Sequence, residues 1–165
     1  MNPTGDAATR EAHFAAGPWR LHGRVLEIPF RDPFRIARAL EDRHATTMVV
    51  ELDDGAGTTG LGEGFPDPFY GETVDTMVAV LPLLLAALVP LGEPPAGPAA
   101  ARTWLRAADE AMEAAIRHHG AAKCALDIAL HDVVGRRLGL ALPELLGTPR
   151  AVRPTDFTIG LDEPA

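Results

Sequence analysis

Several residue types are missing or rare in this chain of 165 residues, and each absence excludes a kind of chemistry. There is no serine, so a Ser-His-Asp triad is impossible. The single lysine, Lys123, rules out chemistry that needs two lysine bases within these residues. The single cysteine, Cys124, cannot form an internal disulfide and is predicted to be a small core residue. The longest apolar run, 81–91, contains two prolines and is shorter than the ~20 residues of a membrane helix, which predicts no membrane span.

The charge balance is acidic, with 23 acidic against 15 basic residues and a formal net charge of −8. This balance makes nucleic acid a poor candidate partner. Residues 1–18 mix Asp6, Arg10 and Glu11 with alanines and lack the apolar segment of a signal peptide. We therefore predict a disordered tail over 1–18 and a cytoplasmic protein.

The first half of the chain has the pattern of strands. Residues 19–30 alternate as a half-buried strand that Pro29 is expected to end. Residues 46–52 and 58–63 can pair as a hairpin around the Asp53-Asp54-Gly55 turn. These segments predict a sheet of three antiparallel strands.

The second half has helical spacing of its apolar residues. The predicted elements are a helix over 72–88 that Pro82 should kink or split, a helix over 99–119, a helix over 121–138 that stops at Gly139, a helical turn over 142–147 and a strand over 154–161. In the third helix the alanines leave the backbone bare, so another element can approach it closely. Strands followed by helices indicate an α+β domain, with the last strand opening a further unit.

A literal G-x-G-x-x-G stands at Gly55 to Gly60, after a predicted strand. A phosphate site needs its last glycine to open a helix, and the following Leu-Gly-Glu-Gly-Phe-Pro cannot start one. The prediction here is a hairpin turn.

Three groups of polar residues carry two interpretations each. Asp127 and His131 share a helix face and could ligate a metal, but a hydrogen bond between them or to a helix end is favoured. Glu63 could be an acid/base carboxylate, although bonding to neighbouring backbone amides is favoured. Arg35 and Arg38 offer planar forks suited to carboxylates, or they belong to a solvated charged loop.

Five segments, taken together in this order, resemble the enolase superfamily. They are Pro33-Phe34-Arg35-Ile36-Ala37-Arg38, Gly60-Leu61-Gly62-Glu63 with Pro68-Phe69-Tyr70-Gly71-Glu72-Thr73, Ala121-Ala122-Lys123-Cys124-Ala125-Leu126-Asp127-Ile128-Ala129-Leu130-His131-Asp132, Leu145-Leu146-Gly147, and Thr155-Asp156-Phe157-Thr158-Ile159-Gly160. Within the superfamily they look most like dipeptide epimerases, such as L-Ala-D/L-Glu epimerases, of the muconate-lactonizing and mandelate racemase type.

The resemblance implies an N-terminal capping domain over 19–120, with a three-stranded sheet and helices, that closes over a TIM-type barrel. Residues 121–165 would be the junction helix and first barrel strand of a truncated barrel. Two capping-domain loops, 31–43 and 64–71, would choose the substrate. The implied substrate-binding residues are Phe34, Arg35, Arg38, Phe69, Tyr70 and Thr158. Phe69 stands where some dipeptide epimerases have an arginine.

The resemblance also implies the chemistry, which is proton abstraction next to a carboxylate, with Mg²⁺ holding the enediolate and lysines acting on opposite faces. The lysines and metal ligands of such enzymes lie beyond the first barrel strand, so no catalytic or metal residue is assigned here. The parent would be an isomerase acting on a small molecule that bears a carboxylate, as a homo-oligomer, and the chain alone is predicted to be inactive. The alternatives are a noncatalytic binding or assembly module, a cycloisomerase and an acid-sugar dehydratase.

A last expectation concerns apolar residues that helix 99–119 and a small sheet cannot cover alone. They are Leu126, Leu130, Val133, Val134, Leu142, Leu145 and Leu146. We expect them to face the barrel in the parent and to drive self-association of the isolated chain.

Overall fold

A computed structural model describes residues 10–36, 39–148 and 154–156, and over 32–36 and 39–42 it describes the backbone alone. In this part of the chain an antiparallel sheet with strand order β1-β2-β3-β4 precedes four α-helices, which confirms the α+β class. The strands are β1 (Glu11–Ala16), β2 (Trp19–Ile36), β3 (Ala39–Asp53) and β4 (Thr59–Gly64). The helices are α1 (Val74–Leu88), α2 (Pro98–Ala115), α3 (Gly120–Leu138) and α4 (Leu142–Leu146).

The sheet has four strands, so the prediction of three is wrong. The additional strand is β1, which lies inside the segment predicted to be a disordered tail, and that prediction is therefore wrong for Glu11–Ala16. A turn at Gly17, with φ of 56°, brings β1 back against β2, where Phe14 faces Leu21. Residues 1–9 lie outside the described residues.

Helix α3 packs on β4 almost backbone to backbone. A Cβ atom added at Gly62 would lie 1.9 Å from the carbonyl oxygen of Ala125, and one added at Gly60 would lie 2.3 Å from that of Ala129. The predicted close approach along the alanine face is confirmed, and β4 is the element that uses it. The glycine-rich segment forms a hairpin turn and strand, as predicted, and its last glycine contacts α3 rather than opening a helix.

Helices α1 and α2 complete the core. Leu81, Leu84, Leu85 and Leu88 of α1 are fully buried, and α1 runs unbroken past Pro82, so the predicted split does not occur. By length and composition the segment Val74–Leu91 could cross a membrane. Four of its leucines instead pack in the core, whereas Leu83 is exposed, and each fully buried leucine contributes roughly 1.5–3 kcal/mol.

The predicted end of the second helix at residue 119 is wrong, because α2 ends at Ala115. His118 and His119 lie in the link to α3, both in the left-handed region, with φ of 64° and 58°. Two consecutive residues with positive φ turn the chain sharply, so that α3 folds back across the sheet instead of continuing α2.

Helix α3 differs from the sequence prediction in which side chains it buries. Its large apolar residues are buried in the described chain, so the expectation that they face a barrel is wrong for Leu126, Leu130, Val133, Val134 and, on α4, Leu145. They share one continuous core with the sheet, α1 and α2. Buried residues on both sides of residue 120 therefore contribute to the same core.

Two adjacent residues near the start of α3 differ in burial from what their residue types suggest. Cys124 is exposed and is not the small core residue that was predicted. Lys123 is 7% exposed, and its Nζ lies 2.8 Å from a carboxylate oxygen of Glu113 on α2. The ion pair allows the lysine to lie between two helices, because a buried charge needs a partner.

Candidate functional site

The register of the sheet brings the two predicted substrate-selecting segments to the same end of the molecule. β4 ends at Gly64, which pairs with Met48 of β3. β2 and β3 continue beyond this point as a two-stranded hairpin that reaches Ile36 and Ala39. Both the hairpin and the segment that follows Gly64 therefore leave the sheet where β4 stops.

The predicted loop over 31–43 is an extended hairpin in the described backbone rather than an irregular loop. β2 runs through Pro29, so the prediction that this proline ends the strand is wrong. The register shifts between Pro29 and Phe34, and again between Phe34 and Ile36. These shifts let the hairpin accommodate Pro29 and Pro33. Phe34 pairs with Asp42 in the backbone, whereas the side chains of Phe34 and Arg35 lie outside the described atoms.

Two of the other four predicted site residues are not among the described residues. Arg38 and Thr158 lie outside the described residues, as does most of the strand predicted over 154–161. Residues 154–156 are exposed and carry no regular secondary structure.

The segment after β4 presents two aromatic rings to solvent. Pro68–Tyr70 forms one turn of 3₁₀ helix in which Phe69 is 67% exposed and Tyr70 is 71% exposed. Their rings meet edge to face, with centroids 5.1 Å apart. The carboxylate of Asp67 accepts a hydrogen bond of 2.9 Å from the amide of Phe69. This cap and the left-handed Gly71 fix the turn, so the exposed rings stand on a defined backbone.

Glu72 ties this aromatic turn to α3. Its carboxylate accepts hydrogen bonds from the amides of Gly120, at 2.6 Å, and Ala121, at 2.8 Å. These amides open α3 and have no partner within the helix, and the negative charge also suits the positive end of the helix dipole. Sequence reasoning missed this role. A usable signal was present, since His119-Gly120 offers no capping side chain and α3 needs an acceptor from elsewhere.

Glu63, at the end of β4, bonds to a side chain rather than to the neighbouring backbone amides that were favoured. The hydroxyl of Thr47 lies 2.9 Å from its carboxylate and 3.1 Å from the carbonyl oxygen of Gly64. Thr47 is buried, so this contact fixes the end of β4 next to the aromatic turn.

Asp127 and His131 form the hydrogen bond that was predicted on α3. Nδ1 of His131 lies 2.9 Å from the carbonyl oxygen of Asp127 and 3.3 Å from its carboxylate. The hydrogen bond to the Asp127 carboxylate raises the pKa of His131, and partial burial of the ring opposes the shift. Within the described residues no third potential ligand joins them at metal-binding distance.

An apolar groove runs along the outer side of α3 and α4. Its lining includes Leu61 of β4, Ile128, Arg136 and the Asp127–His131 pair of α3, and Leu142 and Leu146 of α4. Ile128, Leu142 and Leu146 are 44%, 50% and 44% exposed, so these side chains, rather than the buried Leu126 or Leu130, form the uncovered apolar surface. The expectation of an uncovered surface is met at Leu142 and Leu146.

The described residues do not supply a magnesium site. Mg²⁺ prefers an octahedral set of oxygen ligands. In the part of the chain that the structure describes, three potential metal-binding side chains come together at Glu11, His13 and His22, and two of them offer nitrogen. Lys123, the only lysine of the sequence, is engaged by Glu113 and is not positioned as a free base.

The class of protein is an α+β capping domain. It is defined by the four-stranded antiparallel sheet, the helices that cover it, and the β2–β3 hairpin and aromatic turn at one end. The profile described as "Mandelate racemase / muconate lactonizing enzyme, N-terminal domain" matches residues 21–147. The chain belongs to this family of the enolase superfamily.

Individual relatives agree with this assignment. A hydrophobic dipeptide epimerase of Enterococcus faecalis is 32% identical over 146 residues, which are 88% of this chain and 38% of that protein. A chloromuconate cycloisomerase of Pseudomonas sp. (strain P51) is 28% identical over 145 residues, which are 86% of this chain and 36% of that protein.

Solved structures show the same fold. The crystal structure of a dipeptide epimerase from Enterococcus faecalis, complexed with Mg and the dipeptide L-Leu-L-Tyr, superposes with a TM-score of 0.73 at 31% identity. The match covers 87% of this chain and 38% of that chain. The chain thus spans little more than a third of the length of the relatives that it matches.

Proposed function

We propose that this chain is the substrate-selecting N-terminal part of a Mg²⁺-dependent epimerase or racemase that abstracts the proton next to a carboxylate, and that its substrate class is dipeptides. Residues 19–120 would be the capping domain, and residues 121–165 the junction helix and first barrel strand. The observation that carries the proposal is the placement of the β2–β3 hairpin and the aromatic turn at one end of a fold that a dipeptide epimerase shares.

The two segments would divide the work of recognition. Arg38, with Arg35 as the nearby alternative, would bind the substrate carboxylate, because a guanidinium matches a carboxylate with two parallel hydrogen bonds. Phe34, Phe69 and Tyr70 would contact the substrate's side chains, and Thr158 would face the substrate from the first barrel strand. The lysines and Mg²⁺ ligands would lie beyond these residues.

The proposal also accounts for the apolar groove along α3 and α4, which another part of the enzyme would cover. We propose that its occupant is the TIM-type barrel that the resemblance to the enolase superfamily implies after this region. Two observations support it: the relatives are more than twice as long as the matched segment, and the chain leaves α4 at Gly147, beside the exposed Leu146. A barrel seated there would lie against the same helix whose N-terminus holds the aromatic turn through Glu72.

The experiment is an arginine scan of the hairpin in the full-length enzyme. Loss of a charge-assisted contact costs roughly 1.5–3 kcal/mol, so Arg38→Ala should lower kcat/KM for L-Ala-L-Glu and related dipeptides by about ten- to a hundredfold without unfolding the protein. The matched control is Arg31→Ala in the same hairpin, whose side chain is exposed and which we expect to be near neutral. If Arg38→Ala and Arg35→Ala both leave turnover intact, the hairpin does not bind the carboxylate.

A second candidate function is a noncatalytic binding or assembly module. The observation in its favour is that the sheet, α1 and α2 bury the large apolar residues of α3 without a barrel. A reading frame that ends directly after Ala165 would support the module, and a Lys-x-Lys on the next strand followed by acidic strand ends would support the enzyme.

A further inference from the structure

The outer face of the sheet carries a row of titratable side chains that the proposed function does not use. His13 of β1 lies directly opposite His22 of β2, and His22 lies opposite Glu51 of β3. Glu11 precedes His13 by two residues, so its side chain is on the same face of β1. Four groups capable of binding cations therefore lie side by side across three strands.

The side chains of the first two strands converge. A carboxylate oxygen of Glu11 lies 3.6 Å from Nε2 of His22 and 4.0 Å from Nε2 of His13. The three donor atoms all lie within 4.8 Å of one another. The two imidazole rings are stacked, with centroids 4.3 Å apart and planes within 5° of parallel.

One of these donor atoms lacks a hydrogen-bond partner. Nε2 of His22 is buried and has no hydrogen-bond partner among the described residues, and its nearest carboxylate oxygen is 3.6 Å away. A buried polar atom without a partner is costly, and a ring nitrogen in that position is a potential metal ligand.

We propose that Glu11, His13 and His22 form a zinc site. Two imidazole nitrogens and one carboxylate oxygen are a ligand set typical of Zn²⁺, with water in the fourth position, whereas Mg²⁺ prefers oxygen ligands alone. At zinc–ligand distances of about 2.1 Å, donors around a tetrahedral ion lie roughly 3.4 Å apart. Glu11 and His22 are already close to that separation, and His13, whose side chain is 69% exposed, has room to turn toward them.

Glu51 is the positioning residue of this site. Its Oε2 lies 3.9 Å from Nδ1 of His22, the ring nitrogen that the metal does not use, and its Oε1 lies 3.4 Å from Arg24. A carboxylate on the second nitrogen fixes the orientation of a histidine that binds metal. Arg24 in turn holds the other oxygen of the Glu51 carboxylate, which leaves Oε2 directed toward His22.

The site would join β1 to β2. Glu11 and His13 come from β1 and His22 comes from β2, so a bound ion would attach an edge strand to the sheet independently of the apolar contact of Phe14 with the core. Zinc binding should therefore slow amide exchange in β1 more than in β3 or β4.

The test is calorimetric titration of the untagged, chelator-treated 165-residue chain with ZnCl₂. We expect one saturable site per chain that MgCl₂ does not occupy. Loss of positioning groups around a metal costs about 10–100-fold in affinity, so Glu51→Gln should weaken binding within that range, and loss of a direct ligand in His13→Ala, His22→Ala or Glu11→Gln should cost at least as much. The matched control is His44→Ala, which removes an exposed histidine of β3 and should bind zinc like the unchanged chain.

A second measurement needs no variant. Zinc should shift the ring-proton NMR signals of His13 and His22 and leave those of His44 and His118 in place. Absence of saturable zinc binding by the folded chain would overturn the proposal, and the row would then be a set of His–Glu ion pairs only. Binding that His13→Ala and His22→Ala variants retain, with native far-UV circular dichroism, would overturn it equally.

Discussion

The i, i+4 spacing of Asp127 and His131 has a measurable effect on the pKa of the histidine. The two residues are one turn apart on α3, and the carboxylate raises the pKa of the imidazole. A raised pKa in the folded state means that the protonated pair stabilises the fold below the pKa of the unfolded chain, and that this contribution is lost as pH rises through the folded value.

We predict that Asp127→Asn lowers the pKa of His131, because the mutation removes the charge that favours the imidazolium. The free energy of unfolding should fall by about 0.5 kcal/mol or less below pH ~6.5, since the Asp127 carboxylate is partly exposed, and the difference from the unchanged chain should fade at higher pH. NMR titration of the His131 ring and urea unfolding at acidic and alkaline pH measure both effects. The control is Asp109→Asn, which removes a weaker contribution. An unshifted His131 titration in Asp127→Asn would contradict the assignment.

Residue roles that depend on spacing along one helix could be predicted, and roles that depend on tertiary neighbours could not. The Asp127–His131 contact follows from the i, i+4 spacing. Lys123 is buried because Glu113 of another helix meets it, and Glu72 caps a helix 48 residues further along the chain. Local hydropathy indicates neither contact, because the partners are distant in the sequence. The exposure of Cys124 also depends on tertiary neighbours, so the prediction that it is buried was wrong.

At the scale of secondary-structure elements, the β4–α3 contact joins the sheet to a helix almost backbone to backbone. Glycines on one face of β4 meet alanines on one face of α3, so the two backbones come closer than ordinary side chains permit. Asp132 strengthens this contact by accepting a hydrogen bond of 2.9 Å from the amide of Leu61. Burial alone would raise the pKa of Asp132, but the bonds from Arg136 and Leu61 outweigh it and lower that pKa.

We predict that Gly62→Ala destabilises the fold severely, because the new Cβ would lie 1.9 Å from the carbonyl oxygen of Ala125, where only backbone could move. Overpacking costs 1–3 kcal/mol in typical cores, and a clash with backbone should reach or exceed about 3 kcal/mol. Urea unfolding measures the loss. The matched control is Gly23→Ala in the same sheet, whose Cβ would be 3.4 Å from the sulfur of Met48, an ordinary contact, and should change stability by less than about 1 kcal/mol. Equal stability of the two variants would contradict the close approach.

Elements with strong periodicity were predicted well, and elements that depend on pairing were not. The stops of α3 at Gly139 and of α4 at Gly147 follow from glycines that adopt φ of 63° and 70°. β1 was missed because three of its six residues are alanines, which have weak strand propensity, and only its pairing with β2 makes it a strand. The length of the β2–β3 hairpin was missed because prolines usually end strands, whereas register shifts accommodate them here.

At the scale of the whole molecule, the groove along α3 and α4 is one of the described surfaces where apolar side chains meet without a cover. We predict that the isolated chain self-associates through it, because exposed Ile128 and Leu142 form a contiguous apolar surface. Light scattering over a concentration series should show mass increasing for the unchanged chain and much less for the double variant Ile128→Glu, Leu142→Glu. The control, Leu83→Glu, changes an exposed leucine of α1 and should leave association intact. A monomer at every concentration would mean that the groove is already covered.

We propose above all that this chain selects substrate, while catalysis needs residues that this chain does not contain. The only lysine is buried against Glu113, and the proposed reaction needs lysines on both faces of the substrate. The most direct test is proton–deuterium exchange at the α-carbon of L-Ala-L-Glu and related dipeptides, with Mg²⁺ and the 165-residue chain, beside a complete dipeptide epimerase as positive control. We predict no exchange above background for the 165-residue chain. Exchange above background would contradict the claim.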